Sequence, residues 1–338
     1  MGLITIGKTA LRVEQNGFGA LPIQRIPMKD AVCLLKKAYD GGMTFFDTAR
    51  AYTDSEEKLA AAFAGMRHDV IIATKTMAKT TEAFWHELNT SLKTLNTDYI
   101  DIYQLHNPEL CPRPGDESGL YDALLQARDQ GKIRYIGLTS HRLDIATEAV
   151  DSGLYDTLQF PLSYLSTEQE IALVQRCKER QVGLIAMKAL SGGLITHSAA
   201  ACAWLMRFEN VIPIWGIQRE RELDEFLSYI LSPPELTDEL EAYIVKDRTE
   251  LQGNFCRGCG YCMPCPHGIV IHLCARASLL LRRAPTQMIM SEDGQAMMRK
   301  IEDCTECGQC AAQCPYGLDT PTLLKQNYRD FQDMLADL

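Results

Sequence analysis

The 338-residue sequence has no apolar run near the ~18 residues that a membrane-spanning helix needs, and we expect no membrane partner. Basic residues are scarce relative to acidic ones, because 34 Lys and Arg face 44 Asp and Glu, giving a formal net charge of −10. Nucleic acids are bound by clustered Lys and Arg, so this balance argues against nucleic acid as a main partner. The N-terminal segment also lacks the long apolar core of a secretory signal.

Cysteine is scarce in the first 255 residues, which hold four, yet nine cysteines lie between Cys256 and Cys314. A disulfide-rich secreted protein would not combine so long a cysteine-poor region with so local a cluster, and disulfides are rare in the cytosol. The distribution therefore predicts metal chemistry at the C-terminal end of a cytoplasmic protein. The length allows about two domains.

No GxGxxG follows the first strand-like run, so the usual signature of an open dinucleotide-binding sheet is missing. Instead, short apolar, β-rich runs alternate with segments of helical periodicity. The runs are Met43–Phe46, Val70–Thr74, Tyr99–Leu105, Ile133–Leu138, Asp156–Phe160, Val182–Met187 and Val211–Trp215, with a weaker one near Val13–Ala20. Eight such units fit a closed parallel barrel covered by helices, so an α/β fold, a (β/α)₈ TIM barrel, is predicted over residues 1–235.

A proline-rich breaker, Ser232-Pro233-Pro234, ends the predicted barrel region. The segment Leu236–Leu251 then has helical character, as do residues 271–284 and 292–303 between the two cysteine groups. That is more helix than a minimal two-cluster ferredoxin needs. We therefore predict a small, mainly helical cluster-binding domain over residues 236–338.

Four ionisable side chains follow three neighbouring runs of the predicted barrel. Asp47 ends FFD, Lys75 ends IIATK, His106 ends DIYQLH, and Tyr52 lies five residues after Asp47. Active sites of such barrels form at the C-terminal ends of the strands. Each residue alone has a structural alternative, as a cap, a solvent-reaching lysine, a hydrogen-bonded histidine or a loop aromatic. Four together at adjacent strand ends favour a catalytic site.

The chemistry that these residue types support is proton delivery to a carbonyl that receives a hydride. A phenol with its ordinary pKa near ~10 is a poor acid at neutral pH. We expect the Lys75 ammonium, held by Asp47, to lower the pKa of Tyr52 toward the working pH, where general acid catalysis is most effective. His106 would donate to the carbonyl oxygen and fix its orientation.

The segment GGMTFFDTARAYTDSEEKLAAAF, with IIATK and DIYQLH, resembles the catalytic signature of the aldo-keto reductases. The resemblance extends over about residues 1–231. It implies a barrel that binds NADPH or NADH, with Tyr52 as the general acid, Lys75 and Asp47 tuning it, and His106 orienting the substrate.

The same resemblance implies residues that bind the dinucleotide, although several positions depart from the family pattern. Thr139-Ser140 stands where a Ser-Asn pair usually holds the nicotinamide amide, and Ser163 stands where an Asn is expected. At the adenosine-phosphate segment, the usual Arg is Gln218 and the closing Asn is Phe226, which leaves the choice between NADH and NADPH open. The implied cofactor-binding residues are Thr139, Ser140, Gln159, Ser163, Gly192, Gly193, Gly216, Arg219 and Arg221.

Two cysteine runs, each followed by proline, dominate the C-terminal region. They are Cys256-x₂-Cys259-x₂-Cys262-x₂-Cys265-Pro266 and Cys304-x₂-Cys307-x₂-Cys310-x₃-Cys314-Pro315. The second matches the bacterial ferredoxin run, in which the fourth cysteine ligates the other cluster, and the first is one residue shorter. By that rule Cys256, Cys259, Cys262 and Cys314 would hold one [4Fe–4S] cluster, and Cys304, Cys307, Cys310 and Cys265 a second.

Structural zinc is the alternative, since CxxC pairs also bind Zn²⁺. Two runs of four cysteines exceed the four ligands that one zinc ion needs, so iron–sulfur is favoured. Cys274 is either a buried helix residue or a substitute ligand.

The whole chain resembles aldo-keto reductases fused to a ferredoxin-like module. The leading hypothesis is an NAD(P)-dependent oxidoreductase acting on a small carbonyl or alcohol, with clusters that link it to a one-electron partner such as a ferredoxin. One alternative is an electron-transfer protein whose barrel docks a partner or binds another redox group. In another alternative, the clusters only stabilise the C-terminal region. The sequence does not identify the substrate.

Overall fold

The computed structural model describes residues 2–251, 255–283 and 287–336, so the remaining residues of the predicted second domain lie outside the described part. The chain divides into two compact units. The barrel unit comprises Met1–Ala189 and Ala199–Leu236, and the cysteine unit comprises Leu190–Ser198 and Thr237–Leu338. In this division the barrel unit ends at Leu236, next to the predicted boundary at 235/236, and Leu190–Ser198 groups with the cysteine unit.

The barrel unit is a closed sheet of parallel strands, as the sequence predicts. Its strands, in chain order, are β3 (Gly17–Gly19), β4 (Phe45–Asp47), β5 (Ile71–Thr76), β6 (Ile100–His106), β7 (Ile133–Thr139), β8 (Thr157–Pro161), β9 (Gly183–Met187) and β10 (Val211–Gly216). They pair in sequence order, and β10 closes the barrel by pairing with β3. Near-continuous burial along β4, β6 and β8 is typical of parallel strands covered by helices.

A helix follows each of these strands. The helices are α1 (Met28–Asp40), α2 (Ser55–Ala62), α3 (Thr81–Thr94), α4 (Leu120–Asp129), α5 (Leu143–Ser152), α6 (Glu168–Glu179), α7 (Ser198–Leu205) and α8 (Glu220–Leu231). Local sequence sets several of their ends. Thr167 and Glu170 form a reciprocal capping box at the start of α6, and Gly153 ends α5 in a left-handed conformation.

The weak run near Val13–Ala20 is not one strand. Its first part belongs to an antiparallel hairpin of β1 (Leu3–Thr5) and β2 (Arg12–Glu14), and only its later part forms the barrel strand β3. Leu11 and Val13 pack with Phe45 and Ile71 at the beginnings of β4 and β5. The hairpin therefore covers the N-terminal end of the barrel, which leaves the C-terminal ends of the strands for a site.

The cysteine unit is mainly helical, with short helices between the cysteine runs and a long helix after them. The helices are α9 (Asp238–Glu250), α10 (Ile271–Cys274), α11 (Ala277–Arg283), α12 (Gln287–Met290), α13 (Glu292–Arg299), α14 (Gln309–Ala312) and α15 (Thr320–Ala336). The helix α15 is not among the elements predicted from the sequence. Leu324 and Phe331 on one of its faces are each 1% exposed and join a core with Met298 and Ile301. No described helix is long and apolar enough to cross a membrane.

Candidate active site and cysteine-ringed cavities

An Asp–Lys ion pair lies buried at the C-terminal ends of β4 and β5. The Lys75 Nζ donates to both carboxylate oxygens of Asp47 at 2.7 Å and to the Thr48 carbonyl oxygen at 2.5 Å. Asp47 is 2% and Lys75 1% exposed. Burial raises the pKa of the Asp47 carboxyl and lowers the pKa of the Lys75 ammonium, while the attraction between the two charges opposes both shifts. These three bonds use the three N–H donors of the ammonium and fix its position.

Two buried side-chain amides hold the other side of the Asp47 carboxylate. Gln159 Nε2 donates to Oδ1 at 3.3 Å, and Gln104 Nε2 lies 3.4 Å from Oδ2 and 3.0 Å from the Oε1 of Gln159. Gln159 is among the predicted cofactor-binding residues, whereas Gln104 is not among the residues that the sequence singles out. Alternation along a strand is the signal that finds it, because Gln104 and His106 are two residues apart on β6 and share a face.

Tyr52 and His106 complete the group at the same barrel end. The Tyr52 ring centroid lies 5.3 Å from the Lys75 Nζ and 6.0 Å from the His106 ring centroid, with the two rings nearly perpendicular at 82°. The structure thus brings together all four residues that the sequence singles out. Asp47, Lys75 and His106 lie at the C-terminal ends of β4, β5 and β6, and Tyr52 lies in the loop between β4 and α2.

The pKa of Tyr52 moves in the direction opposite to the one expected. Burial raises it, and the negative charge of Asp47 raises it further. The Lys75 ammonium bonds to Asp47 and Thr48, and no bond joins it to the phenol. The phenol therefore stays protonated at neutral pH, which is the form that donates a proton.

His106 is held neutral. Burial, and then the positive charge of Lys75, lower its pKa to about 3. Its Nδ1 is buried without a hydrogen-bond partner among the described residues. A neutral imidazole has one N–H donor. The His106 imidazole ring lies beside the Tyr52 ring.

Two residues predicted to bind the dinucleotide, Thr139 and Gln159, lie in one row with His106 across neighbouring strands. His106 is in register with Thr139 on β7, and Thr139 is in register with Gln159 on β8. Thr139, Ser140 and Ser163 are all buried. The Ser140 Oγ accepts the Arg142 backbone N–H at 3.0 Å, which fixes its orientation.

The predicted adenosine-phosphate residues Gly216, Arg219 and Arg221 are exposed around the start of α8. The Arg219 guanidinium Nη1 lies 3.7 Å from the Glu222 carboxylate. Phe226, at the position of the family's asparagine, stacks on Trp215 with ring centroids 4.3 Å apart and belongs to the core. Gly192 and Gly193 lie in the cysteine unit, and both have positive φ.

Two cavities in the cysteine unit are ringed by thiols from both runs. One is lined by Cys256, Cys259, Cys262 and Cys314. The other is lined by Cys265, Cys304, Cys307 and Cys310, with Cys262 also in its wall. The fourth cysteine of each run thus lies at the cavity of the other run, the arrangement that the ferredoxin rule predicts.

The spacing of these thiols suits a cluster better than a single ion. Among the described residues, no three His, Cys, Asp or Glu side chains converge closely enough to hold one metal ion. Tetrahedral zinc would need sulfur atoms only about 4 Å apart. The thiols instead surround a space, and Ile271 contributes to the walls of both cavities. The residues present therefore fit two polynuclear clusters.

Cys274 lies in neither cavity lining. It is fully buried, and its Sγ donates to the Met297 carbonyl oxygen at 3.7 Å. Burial raises the pKa of this thiol to about 11. Cys33, Cys111, Cys177 and Cys202 lie in the barrel unit.

Comparison with known proteins identifies the family to which the chain belongs. The sequence profile of the aldo/keto reductase family matches residues 15–200, which is more than half of the chain. The chain belongs to the aldo/keto reductase family. The predicted oxidoreductase class is thereby confirmed, and the family implies use of NAD(P)H. A second profile, the 4Fe-4S dicluster domain, matches residues 255–319 and supports iron–sulfur clusters over zinc.

Curated relatives agree with this assignment. An L-galactose dehydrogenase from Arabidopsis thaliana is 32% identical over 214 residues, covering 58% of this chain and 67% of that protein. The aldo-keto reductase YhdN from Bacillus subtilis is 32% identical over 215 residues, covering 58% of this chain and 64% of that protein. The chain thus spans about two thirds of the length of these relatives.

Solved structures show the same fold. An aldo-keto reductase from Bacillus halodurans, in its holo form, superimposes with a TM-score of 0.65 at 21% identity, covering 73% of this chain and 96% of that one. A putative aldo-keto reductase from Pseudomonas aeruginosa gives a TM-score of 0.60 at 23% identity, covering 67% of this chain and 92% of that one.

Proposed function

We propose that the protein reduces a small carbonyl compound, or oxidises the corresponding alcohol, with NAD(P)H as hydride donor and Tyr52 as general acid. The observation that carries the proposal is the buried Asp47–Lys75 pair beside the Tyr52 and His106 rings. A fixed ammonium, a protonated phenol and a neutral imidazole at one barrel end match the needs of carbonyl reduction.

Tyr52 delivers the proton. Its phenol is kept protonated by burial and by Asp47, so it is a donor throughout the neutral range. The negative charge that develops on the substrate oxygen during reduction falls beside the Lys75 ammonium, which is 5.3 Å from the phenol ring. That fixed charge stabilises the transition state without reorganisation, because Asp47 and Thr48 already hold it.

His106 orients the carbonyl. A neutral imidazole donates one hydrogen bond without adding a charge that would compete with Lys75. It lies edge-to-face with Tyr52 at a centroid distance of 6.0 Å, so both groups are close enough to reach one substrate oxygen. The substrate oxygen is thereby held between a proton donor and a hydrogen-bond donor.

Thr139 and Gln159 of this row, with the neighbouring Ser140, fit the carboxamide of a nicotinamide, since buried hydroxyl and amide groups pair with a planar amide. The exposed Arg219 and Arg221 would bind the adenosine phosphate. When bound, the nicotinamide supplies the hydride. Gln159 also anchors Asp47, so it links the row to the catalytic pair.

The two thiol-ringed cavities would hold [4Fe–4S] clusters that exchange single electrons with a partner such as a ferredoxin. Each has four cysteine ligands, and both include Cys262 and Ile271 in their walls. The common wall supports passage of electrons from one to the other. Clusters with a purely structural role would have the same ligands, so spectroscopy distinguishes electron transfer from structural stabilisation.

The decisive experiment is anaerobic kinetics of reconstituted enzyme with NADPH and NADH on a carbonyl panel. The panel includes aldoses, and L-galactose is tested in the oxidative direction, because one relative bears that substrate in its name. We expect Tyr52→Phe to lower kcat on the order of 10²–10⁴-fold. Tyr39→Phe, which removes a phenol hydroxyl on α1, serves as the matched control and keeps wild-type turnover.

Absence of hydride transfer from either nucleotide to any substrate would contradict the proposed activity. If electron paramagnetic resonance then showed clusters that a ferredoxin reduces at the same rate in wild type and Tyr52→Phe, the electron-transfer alternative would replace it.

A further inference from the structure

Arg276 lies in the turn between α10 and α11 of the cysteine unit and is 6% exposed. Its guanidinium Nη2 donates to two consecutive backbone carbonyls, Ser191 O at 3.0 Å and Gly192 O at 2.8 Å. These carbonyls belong to the loop Leu190–Ser198, which groups with the cysteine unit although it comes from the middle of the barrel sequence. Arg276 is thus a direct link between that loop and the cluster-binding segment.

The other edge of the guanidinium packs against the first cysteine run. A Cβ added at Gly258 would overlap Nη1, and one added at Gly192 would lie 2.8 Å from it. Both glycines have positive φ, so the backbone on each side is shaped to admit the guanidinium. Gly258 lies between Cys256 and Cys259, and its N–H donates to the Cys256 Sγ at 3.3 Å.

Among the described residues, no carboxylate forms an ion pair with the buried guanidinium of Arg276. Its Nε has no hydrogen-bond partner in the described part of the chain, and the groups it does bind are neutral carbonyls. The charged group that acts on it is Cys256. Burying an unpaired cation is costly. A thiolate-ligated iron–sulfur cluster is an anion and becomes more negative when it takes up an electron, so it is a suitable counter-charge.

We propose that Arg276 is a positioning residue that raises the reduction potential of the cluster held by Cys256, Cys259, Cys262 and Cys314, and couples the charge of that cluster to the loop Leu190–Ser198. A fixed positive charge stabilises the reduced cluster more than the oxidised one, because the reduced form is more negative. The inference rests on the proposed iron–sulfur function.

The loop also carries two of the predicted cofactor-binding residues. The family resemblance places Gly192 and Gly193 among the residues that bind the dinucleotide, and the Gly192 carbonyl accepts a hydrogen bond from Arg276. The negative charge of an anionic ligand at the loop offsets part of the positive charge of Arg276 that acts on the cluster. Binding of that ligand therefore lowers the reduction potential of the cluster. Linkage requires the reverse as well: reduction of the cluster weakens binding of that ligand.

The test is an anaerobic potentiometric titration, followed by electron paramagnetic resonance, of full-length reconstituted protein with and without 2′-phospho-ADP-ribose. This probe carries the pyrophosphate and lacks nicotinamide, so it transfers no electrons. The variants are Arg276→Gln, Arg276→Lys and, as matched control, Arg299→Gln at the exposed end of α13. Iron content is measured for each.

We expect Arg276→Gln to lower the midpoint potential of one cluster and to leave that of the other unchanged. The same variant should lose most of the shift that the probe causes in wild type. Arg299→Gln should keep all wild-type values. Arg276→Lys keeps the charge and therefore the wild-type potential, but it loses the probe response, because a compact ammonium cannot both pack against Gly258 and donate to the loop carbonyls as the wider guanidinium does. If Arg276→Gln does not assemble clusters, the midpoint potential and the probe response of Arg276→Lys test the proposal instead.

Unchanged potentials in Arg276→Gln with full iron content, or a lowered potential in Arg276→Lys, would overturn the role of Arg276 and leave the proposed function intact. A wild-type protein without any reducible cluster would instead refute the iron–sulfur half of the proposed function, and this inference with it.

Discussion

Gln104 and Asp47 meet inside the barrel although 57 residues separate them in the sequence, with Gln104 Nε2 lying 3.4 Å from Asp47 Oδ2. Gln104 is fully buried, and its amide also donates to Gln159. Asp47 is therefore held by Lys75 on one side and by a pair of amides on the other. The orientation of the catalytic pair depends on residues outside the four that the sequence singles out.

Replacing Gln104 by Leu should lower kcat about three- to tenfold, or ~0.7–1.4 kcal/mol, with little change in KM. Burial raises the pKa of Asp47, and the Gln104 amide is among the groups that oppose this rise. Its loss should move the acid limb of the kcat–pH profile to higher pH. Gln175→Leu on the exposed face of α6 is the control. An unshifted limb with lowered kcat would contradict a role through Asp47.

Removal of Lys75 should be costly for folding as well as for activity. Lys75→Met leaves the Asp47 carboxylate buried without its cation, which should cost about 3–5 kcal/mol of unfolding free energy. The double variant Asp47→Leu/Lys75→Met leaves no buried charge at this position and should recover most of that loss while staying inactive. Urea unfolding can be followed by tryptophan fluorescence, because Trp85, Trp204 and Trp215 all lie in the barrel unit. Additive losses in the double variant would show that the pair is not coupled.

His106 should make the barrel less stable in acid. Its pKa is about 3 in the folded protein, whereas an unfolded histidine titrates near ~6.5. Below that value the unfolded chain binds a proton that the folded protein does not, so stability falls as the pH decreases. From about pH 7 to about pH 5 the loss from this residue should be ~2 kcal/mol. His106→Gln should lack this part of the pH dependence, and parallel curves for the two proteins would contradict it.

The assignment of ligands across the two runs can be tested by paired serine variants. If Cys256 and Cys314 serve one cluster, Cys256→Ser/Cys314→Ser should retain about four iron atoms of about eight. Cys304→Ser/Cys314→Ser removes one ligand from each cavity and should lose both clusters. Cys274→Ser, outside both cavity linings, is the control with full iron content. Equal iron loss in the two double variants would refute the crossed arrangement.

The sequence by itself determined the architecture of the barrel and the identity of the reactive groups. Apolar runs alternating with helical periodicity predict a parallel barrel because burial on both faces leaves a local pattern in every strand. The spacing of the cysteine runs likewise indicates a cluster ligand set. Asp47, Tyr52, Lys75 and His106 were found in this way because each directly follows, or closely follows, a predicted strand.

Only the tertiary structure decided how these groups behave. The pKa of Tyr52 is raised rather than lowered because its burial and its closeness to the Asp47 charge are properties of the packed site. The helix α15 and the contact of Arg276 with Gly192 likewise join parts of the chain that no local pattern relates. Local periodicity records which face of an element is buried. The electrostatic environment of a side chain depends on long-range neighbours, which only the folded chain brings together.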